Sequence, residues 1–424
     1  MNPVLLVSLA GGLLGAVALM LLVPPRLIRG VAVGIAIFVI AFGFQGGAPP
    51  AVWQTSGLVA ISVLVLALIR ARAARSGGVR YWAVSAWLGY ISLGIVLTGS
   101  WPLAFAVMYF GLAGLLAWVV STVDPTELRI VYAFIAATAA FQVALAGLEL
   151  TVLPEPIWGY VGGARDNPFV NNELIRTQGT FGHPIPFAVF CGFSLLIAWS
   201  NPGGWSQKWR LINLSIAVTG LAFSGTRSAV FSIAIGLLVH IALSASLARW
   251  LRSVVVLAAI GVLLINIDVG IARVMTELFQ SGSFSHRLGG LESVPALLDK
   301  RPPLEVWFGN GFGSAGQLYD RHLMHQIYMR TVDNMLVYAL GTMGIVGLSA
   351  LLALSVVTAA LADRTGRAIL AMVFAMYFSF DLWTWFNIGA FTCMFMAMPR
   401  SDRTVDGLVI SRQALVSATP RMRS

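Results

Sequence analysis

Charge is what this sequence has least of. Lys, Arg, Asp and Glu together make up 10% of its 424 residues, where a soluble globular protein carries about 25%. With 58% hydrophobic residues and a mean hydropathy of +0.84, that scarcity excludes an ordinary soluble domain, because apolar runs recur from end to end. Cysteine is nearly absent as well. Cys191 and Cys393 both fall in apolar runs, which argues against a disulfide framework or a metal site. The alternating segments of a membrane barrel are missing, and so is a secretory signal peptide. The first run, Val4 to Val23, has no basic residue before it and Arg26 and Arg29 just after it, the pattern of an anchor whose next loop is cytoplasmic. The expected fold is all-α: a polytopic transmembrane helical bundle of about 12–14 helices, with residues 1–424 forming one membrane domain.

A crossing needs about 20 apolar residues. Such runs lie near 4–23, 31–46, 56–69, 81–100, 102–120, 130–152, 185–200, 211–224, 229–247, 254–271, 334–361 and 368–398. The last would be about 46 Å long as one helix, too long for a simple crossing. Its middle, FDLWTWFN (380–387), has the polar and aromatic residues of an interfacial turn, so it divides in two. If Arg26 and Arg29 face the cytoplasm, alternate loops and the cytoplasmic tail (399–424) place 18 of the 27 Lys and Arg on that side, against five of the 17 acids. The positive-inside rule predicts this asymmetry. It accounts for the net charge of +10 without nucleic acid, for which no loop combines basic and aromatic residues suitably.

Two connections are long, and both fall on the outer, periplasmic side: 154–184, and a larger loop, 272–332, with short helical patterns at IARVMTELF and GGLESVPALLD. Long loops in compact chains carry function or are disordered. No ATP is available outside the cytoplasm, so chemistry there needs a preactivated substrate or a gradient.

Arg227 is the only permanently charged side chain between Leu211 and Leu247. Inside lipid it would cost roughly 2.5–3.5 kcal/mol or more. That stretch would be about 55 Å of helix, nearly twice a bilayer core of about 30 Å. Ser224 and Gly225 offer a turn, which moves Arg227 to an outer-face hairpin. There it either snorkels to lipid phosphates or forms an anion site, since guanidinium suits bidentate phosphate binding.

Other features read more plainly. GNGFGSAG lacks the strand and lysine-bearing helix of a phosphate loop and reads as a close-packed crossing. DKRPPLEVW (299–307) reads as a loop with one amphipathic turn at the interface. His240 reads as a packed core residue, His286 as solvated, Asp381 as a cap, and Glu149 and Asp268 as interfacial carboxylates.

Four fragments occur in order: RTQGTFGHPIPFA (176–188), SGTRSAV (224–230), FGNGFGSAG (308–316) and VDNMLVYALGTMGIVGL (332–348). Together they resemble the bacterial O-antigen polymerase and O-antigen ligase superfamily of membrane glycosyltransferases, over roughly the second half of the chain. The resemblance implies metal-independent, inverting transfer of glycan from an undecaprenyl-diphosphate-linked oligosaccharide, with no cofactor, at the periplasmic face of the bacterial inner membrane. It assigns the diphosphate to Arg227, Arg287 and Arg176, and the acceptor's base to Asp333, with His322 and His325 as alternatives. Asn334 and His183 are further candidates. The implied partners are that donor, a glycan or lipid A-core acceptor and membrane lipid, with room for a chain-length regulator. Ligases commonly have histidine where Asp333 precedes Asn334, and His183 stands where the family more often has asparagine. The first departure favours the polymerase over the ligase.

Other classes fit less well. A transporter or flippase of lipid-linked sugars predicts internal repeats and mid-membrane charges, neither of which is evident. A metal-dependent lipid-linked glycosyltransferase would want outer-face acids early in the chain, and QGGAPPAVWQTSG (45–57) has none. A non-catalytic scaffold leaves the arginines unexplained.

Overall fold

The structure is a computed structural model and describes residues 3–45, 47–71, 78–161, 163–170, 173–243, 289–324 and 330–400. The expected run 254–271, the pattern IARVMTELF, Asp268, His286, Arg287, His325 and nearly all of the tail lie outside the described residues. Helices dominate, and no strand occurs among the described residues beyond one isolated bridge, Asp166–Ile175. Six helices come first: α1 (Pro3–Leu22), α2 (Ile28–Gly43), α3 (Pro50–Arg70), α4 (Val79–Thr98), α5 (Leu103–Ser121) and α6 (Pro125–Thr151). After a long loop follow α7 (Pro184–Ser200), α8 (Gln207–Ser224) and α9 (Arg227–Ala242). Three short helices, α10 (Val294–Asp299), α11 (Pro303–Phe308) and α12 (Ala315–Asp320), precede α13 (Met335–Leu361), α14 (Arg364–Met376) and α15 (Phe386–Ala397). Five of them, α3, α4, α5, α6 and α13, are long and apolar enough to cross a membrane. The chain is an all-α helical membrane protein.

Every residue of α15 is buried. Its twelve residues reach only about 18 Å, so it fills the centre of the bundle, chiefly against α5, while α14 packs on α9 and α2 packs on α3 and α6. The 368–398 run does divide, through a single 3₁₀ turn at Leu382–Thr384.

Many of the arginines at the basic end share one task. A helix ends with carbonyls that have no intrahelical partner, at the negative pole of its dipole. Arg70 donates to Met20 O of α1, and Arg80 to Phe395 O (2.6 Å) and Met398 O at the end of α15. Arg210 reaches Trp199 O of α7 (2.9 Å), and Arg364 reaches His240 O of α9 (2.7 Å). Arg367 and Arg400 donate to Ala360 O (2.9 Å) and Leu361 O (2.8 Å) of α13. These cations therefore close helix C-termini, a role their loop positions alone did not suggest.

Glu127 joins two helix N-termini at the same end. Asp124 Oδ1 accepts from Thr126 N and Glu127 N, and Glu127 Oε2 accepts from Asp124 N, which completes a capping box. Glu127 also binds the Arg29 guanidinium (2.9 Å) and the Arg29 backbone N–H (3.0 Å). Its side chain is 0% exposed and that of Arg29 12%. Removing one member of a buried pair costs about 3–5 kcal/mol, because the other charge stays buried. Glu127→Ala is expected to lower the thermal unfolding midpoint of detergent-solubilised protein sharply, far more than alanine at the exposed pair Arg330–Asp320.

Candidate functional site

At the opposite end, α8 stops at Ser224 and α9 starts at Arg227. Gly225 turns the chain with φ 59°, where a Cβ would also meet Asn167 Oδ1 at 2.6 Å. The first long loop folds over this turn. Asn167 N–H donates to Leu174 O (2.7 Å) and Arg176 N–H to Arg165 O (2.8 Å), making a narrow hairpin around the Asp166–Ile175 bridge. Asn167 Nδ2 donates to Ala222 O (2.8 Å), one of the carbonyls that end α8. Arg176 spans the turn, with Nε to Ser224 O (2.7 Å) and Nη2 to Thr226 Oγ1 (2.8 Å).

Arg165 and Arg227 lie close enough to act on Arg176. Burial first, then these two cations, hold it down to about 10. Among the described residues no carboxylate forms an ion pair with Arg165 or Arg176. A group of positive charges arranged in this way lowers its energy by taking an anion.

The loop then enters the bundle. Thr180 N–H donates to Gln142 Oε1 (2.9 Å), Gln142 Nε2 to Thr180 Oγ1 (2.7 Å), and Thr180 Oγ1 to Ala41 O (2.8 Å). Glu149 accepts from Gln178 N–H (2.9 Å), so the expected interfacial carboxylate is a clasp for this segment. His183 is buried, and its Nδ1 accepts from Ile185 N–H (3.2 Å) at the start of α7. Burial, then Arg165 and Arg176, push it down to about 3. His183 is a neutral helix cap.

The third part comes from the second half of the chain. Asn334 caps α13 by accepting from Leu336 N–H (3.0 Å) and Val337 N–H (3.1 Å). Met335 N–H donates to Tyr377 O (2.7 Å), which ties the entry of α13 to the end of α14. Half-buried Asp333 and Asp381 are thereby neighbours, with Tyr319 beside both. The Trp385 ring lies 5.2 Å from that of His183 and 5.4 Å from that of Phe380. Thr226 Oγ1 approaches Pro184 O (3.3 Å). A continuous set of contacts thus runs from Arg176 through Thr226, Pro184 and His183 to Trp385, on the turn that carries Asp381. His322 is exposed at the end of α12, with φ 55°.

The glycine loop is a close-packed crossing. A Cβ on Gly309 would lie 2.2 Å from Thr342 O, and one on Gly344 would lie 2.4 Å from Trp307 O. Gly344, at φ 68° and ψ −170°, breaks the regular turn inside α13. Arg301 fills the break. It is 6% exposed and donates to Leu297 O (2.7 Å), Gly341 O (2.6 Å) and Leu340 O (3.1 Å). DKRPPLEVW therefore holds a structural staple, which nothing local in the sequence signals because two of its three partners, Leu340 and Gly341, lie about forty residues away. Arg301→Ala leaves three buried carbonyls without their donor, each costing about 1–3 kcal/mol. A lower unfolding midpoint and faster proteolysis within 289–324 are expected.

Arg165 was also missed by sequence reasoning, although it stands in the first long loop, 154–184. Its importance comes from pairing with Arg176 across the hairpin. No family model and no curated protein matches this chain.

Proposed function

We propose that the protein is a membrane glycosyltransferase that polymerises undecaprenyl-diphosphate-linked oligosaccharide at the periplasmic face of a bacterial inner membrane, in surface polysaccharide assembly. One observation carries the reading: Arg165, Arg176 and Arg227 gather at the α8–α9 turn, at the same end of the bundle as Asp333 and Asp381. That arrangement suits displacement of a lipid diphosphate. Charge grows on the leaving oxygen, and fixed cations in a water-poor cleft stabilise it. A carboxylate accepting the acceptor hydroxyl's proton contributes roughly 10²–10⁴-fold. Direct displacement at the anomeric carbon inverts its configuration.

A deletion strain tests the reaction type. Single repeat units on the final acceptor are expected. Long carrier-linked polymer would instead indicate a ligase acting on lipid A-core, and unchanged surface glycan would oppose both.

A further inference from the structure

The resemblance points to Asp333 as base, while the geometry gives Asp381 the better-built position. Thr384 Oγ1 lies 2.8 Å from both Asp381 Oδ2 and Asp381 O, so its one proton holds the carboxylate against its own turn. This contact orients it and leaves lone pairs for a further hydroxyl. Among the described residues no hydrogen bond holds the Asp333 carboxylate. Asp381 is also the nearer of the two to the arginines along the contacts described above, through Trp385 and His183. A base acts by being held at the reacting atom, and preorganisation favours the carboxylate that a neighbouring hydroxyl holds in place.

We infer that the acceptor hydroxyl's proton goes to Asp381, and that Asp333 is a positioning carboxylate beside it; this rests on the glycan-transfer reading above. In the step, the acceptor O–H breaks and its proton passes to an Asp381 oxygen. The acceptor oxygen bonds the anomeric carbon as the bond from that carbon to the diphosphate oxygen breaks. The electron pair leaves with the lipid diphosphate, beside the arginines, and Asp381 later returns its proton to water.

The charged and titratable groups facing Asp381 are Asp333 from the segment before α13, Tyr319 of α12 and Tyr338 of α13, with Trp385 and Thr384 on its own turn. Burial first, and then Asp333, push Asp381 up to about 7. A base must be deprotonated to act, so turnover rises as pH climbs through this range. Removing the Asp333 charge removes one of the influences that raise Asp381, and the rise moves to lower pH.

The test uses purified full-length protein in phospholipid vesicles with a synthetic polyprenyl-diphosphate-linked oligosaccharide. Transfer is followed as a function of pH for wild type, Asp381→Asn and Asp333→Asn, with unfolding midpoints and binding of labelled donor measured alongside. Asp381→Asn is expected to lose about 10²–10⁴-fold in kcat while keeping its fold and donor binding. Asp333→Asn is expected to keep turning over, with its acid limb displaced to lower pH. Asp381→Asn activity within about threefold of wild type, far short of a lost base, would overturn the assignment. So would an unmoved acid limb in Asp333→Asn. Absence of transfer by the wild-type protein would instead defeat the glycan-transfer reading itself, and the assignment with it.

Discussion

Alanine at Arg176 or Arg227 is expected to cut transfer from a lipid-linked donor by about 10²–10³-fold each, the loss typical of removing one preorganised donor to a developing negative charge. The two side chains stand together at the α8–α9 turn, and Arg176 feels the cationic field of Arg165 and Arg227. Arg176 also braces the turn through Ser224 O and Thr226 Oγ1, so its alanine variant alone would mix loss of charge with loss of shape. Lysine separates them. It keeps the charge but has no planar fork to reach both acceptors. Arg176→Lys should therefore recover donor binding at low salt while turnover stays depressed, whereas Arg227→Lys should recover part of both. Donor affinity and kcat, measured for each variant at two ionic strengths, check this directly.

The second large effect concerns folding. Alanine at Gly344 or Gly309 would place a Cβ 2.4 Å or 2.2 Å from a backbone carbonyl oxygen of the other segment, and both residues have positive φ. Backbone strain and overpacking each cost about 1–3 kcal/mol, and neither partner can rotate away as a side chain would. Each variant should unfold at a clearly lower temperature in detergent. The double variant should fall short of additivity, because the first substitution already parts the two segments. Alanine at Gly99, which also has positive φ but has open space around its Cβ position, should cost much less.

Much of the bundle was legible because hydrophobic length is a strong signal. Arithmetic on the Leu211–Leu247 run placed a turn at Ser224–Gly225, and the polar middle of 368–398 marked the break before α15. Two things hid the rest. The kink at Gly344 and the staple at Arg301 depend on segments crossing far apart in sequence, which no local period records. The site was legible in part. The SGTR and VDN segments drew attention by charge and resemblance, but the pairing of Arg165 with Arg176 needed the hairpin. Asp381 looked like a cap, and it does bind Thr384. Its standing as a candidate base appears only once Asp333 is seen beside it. His183 and Asn334 have a structural role that the resemblance did not imply, since each caps a helix by accepting from backbone N–H groups.

The central claim is that the arginine and aspartate end of the bundle joins glycans using a lipid diphosphate as leaving group. Release of polyprenyl diphosphate, measured alongside glycan length in vesicles holding only purified protein and a synthetic lipid-linked oligosaccharide, tests it most directly. The account predicts one lipid diphosphate released for each added unit, with both products lost together in Arg227→Ala. Longer glycan without diphosphate release, or release unchanged in that variant, would contradict it.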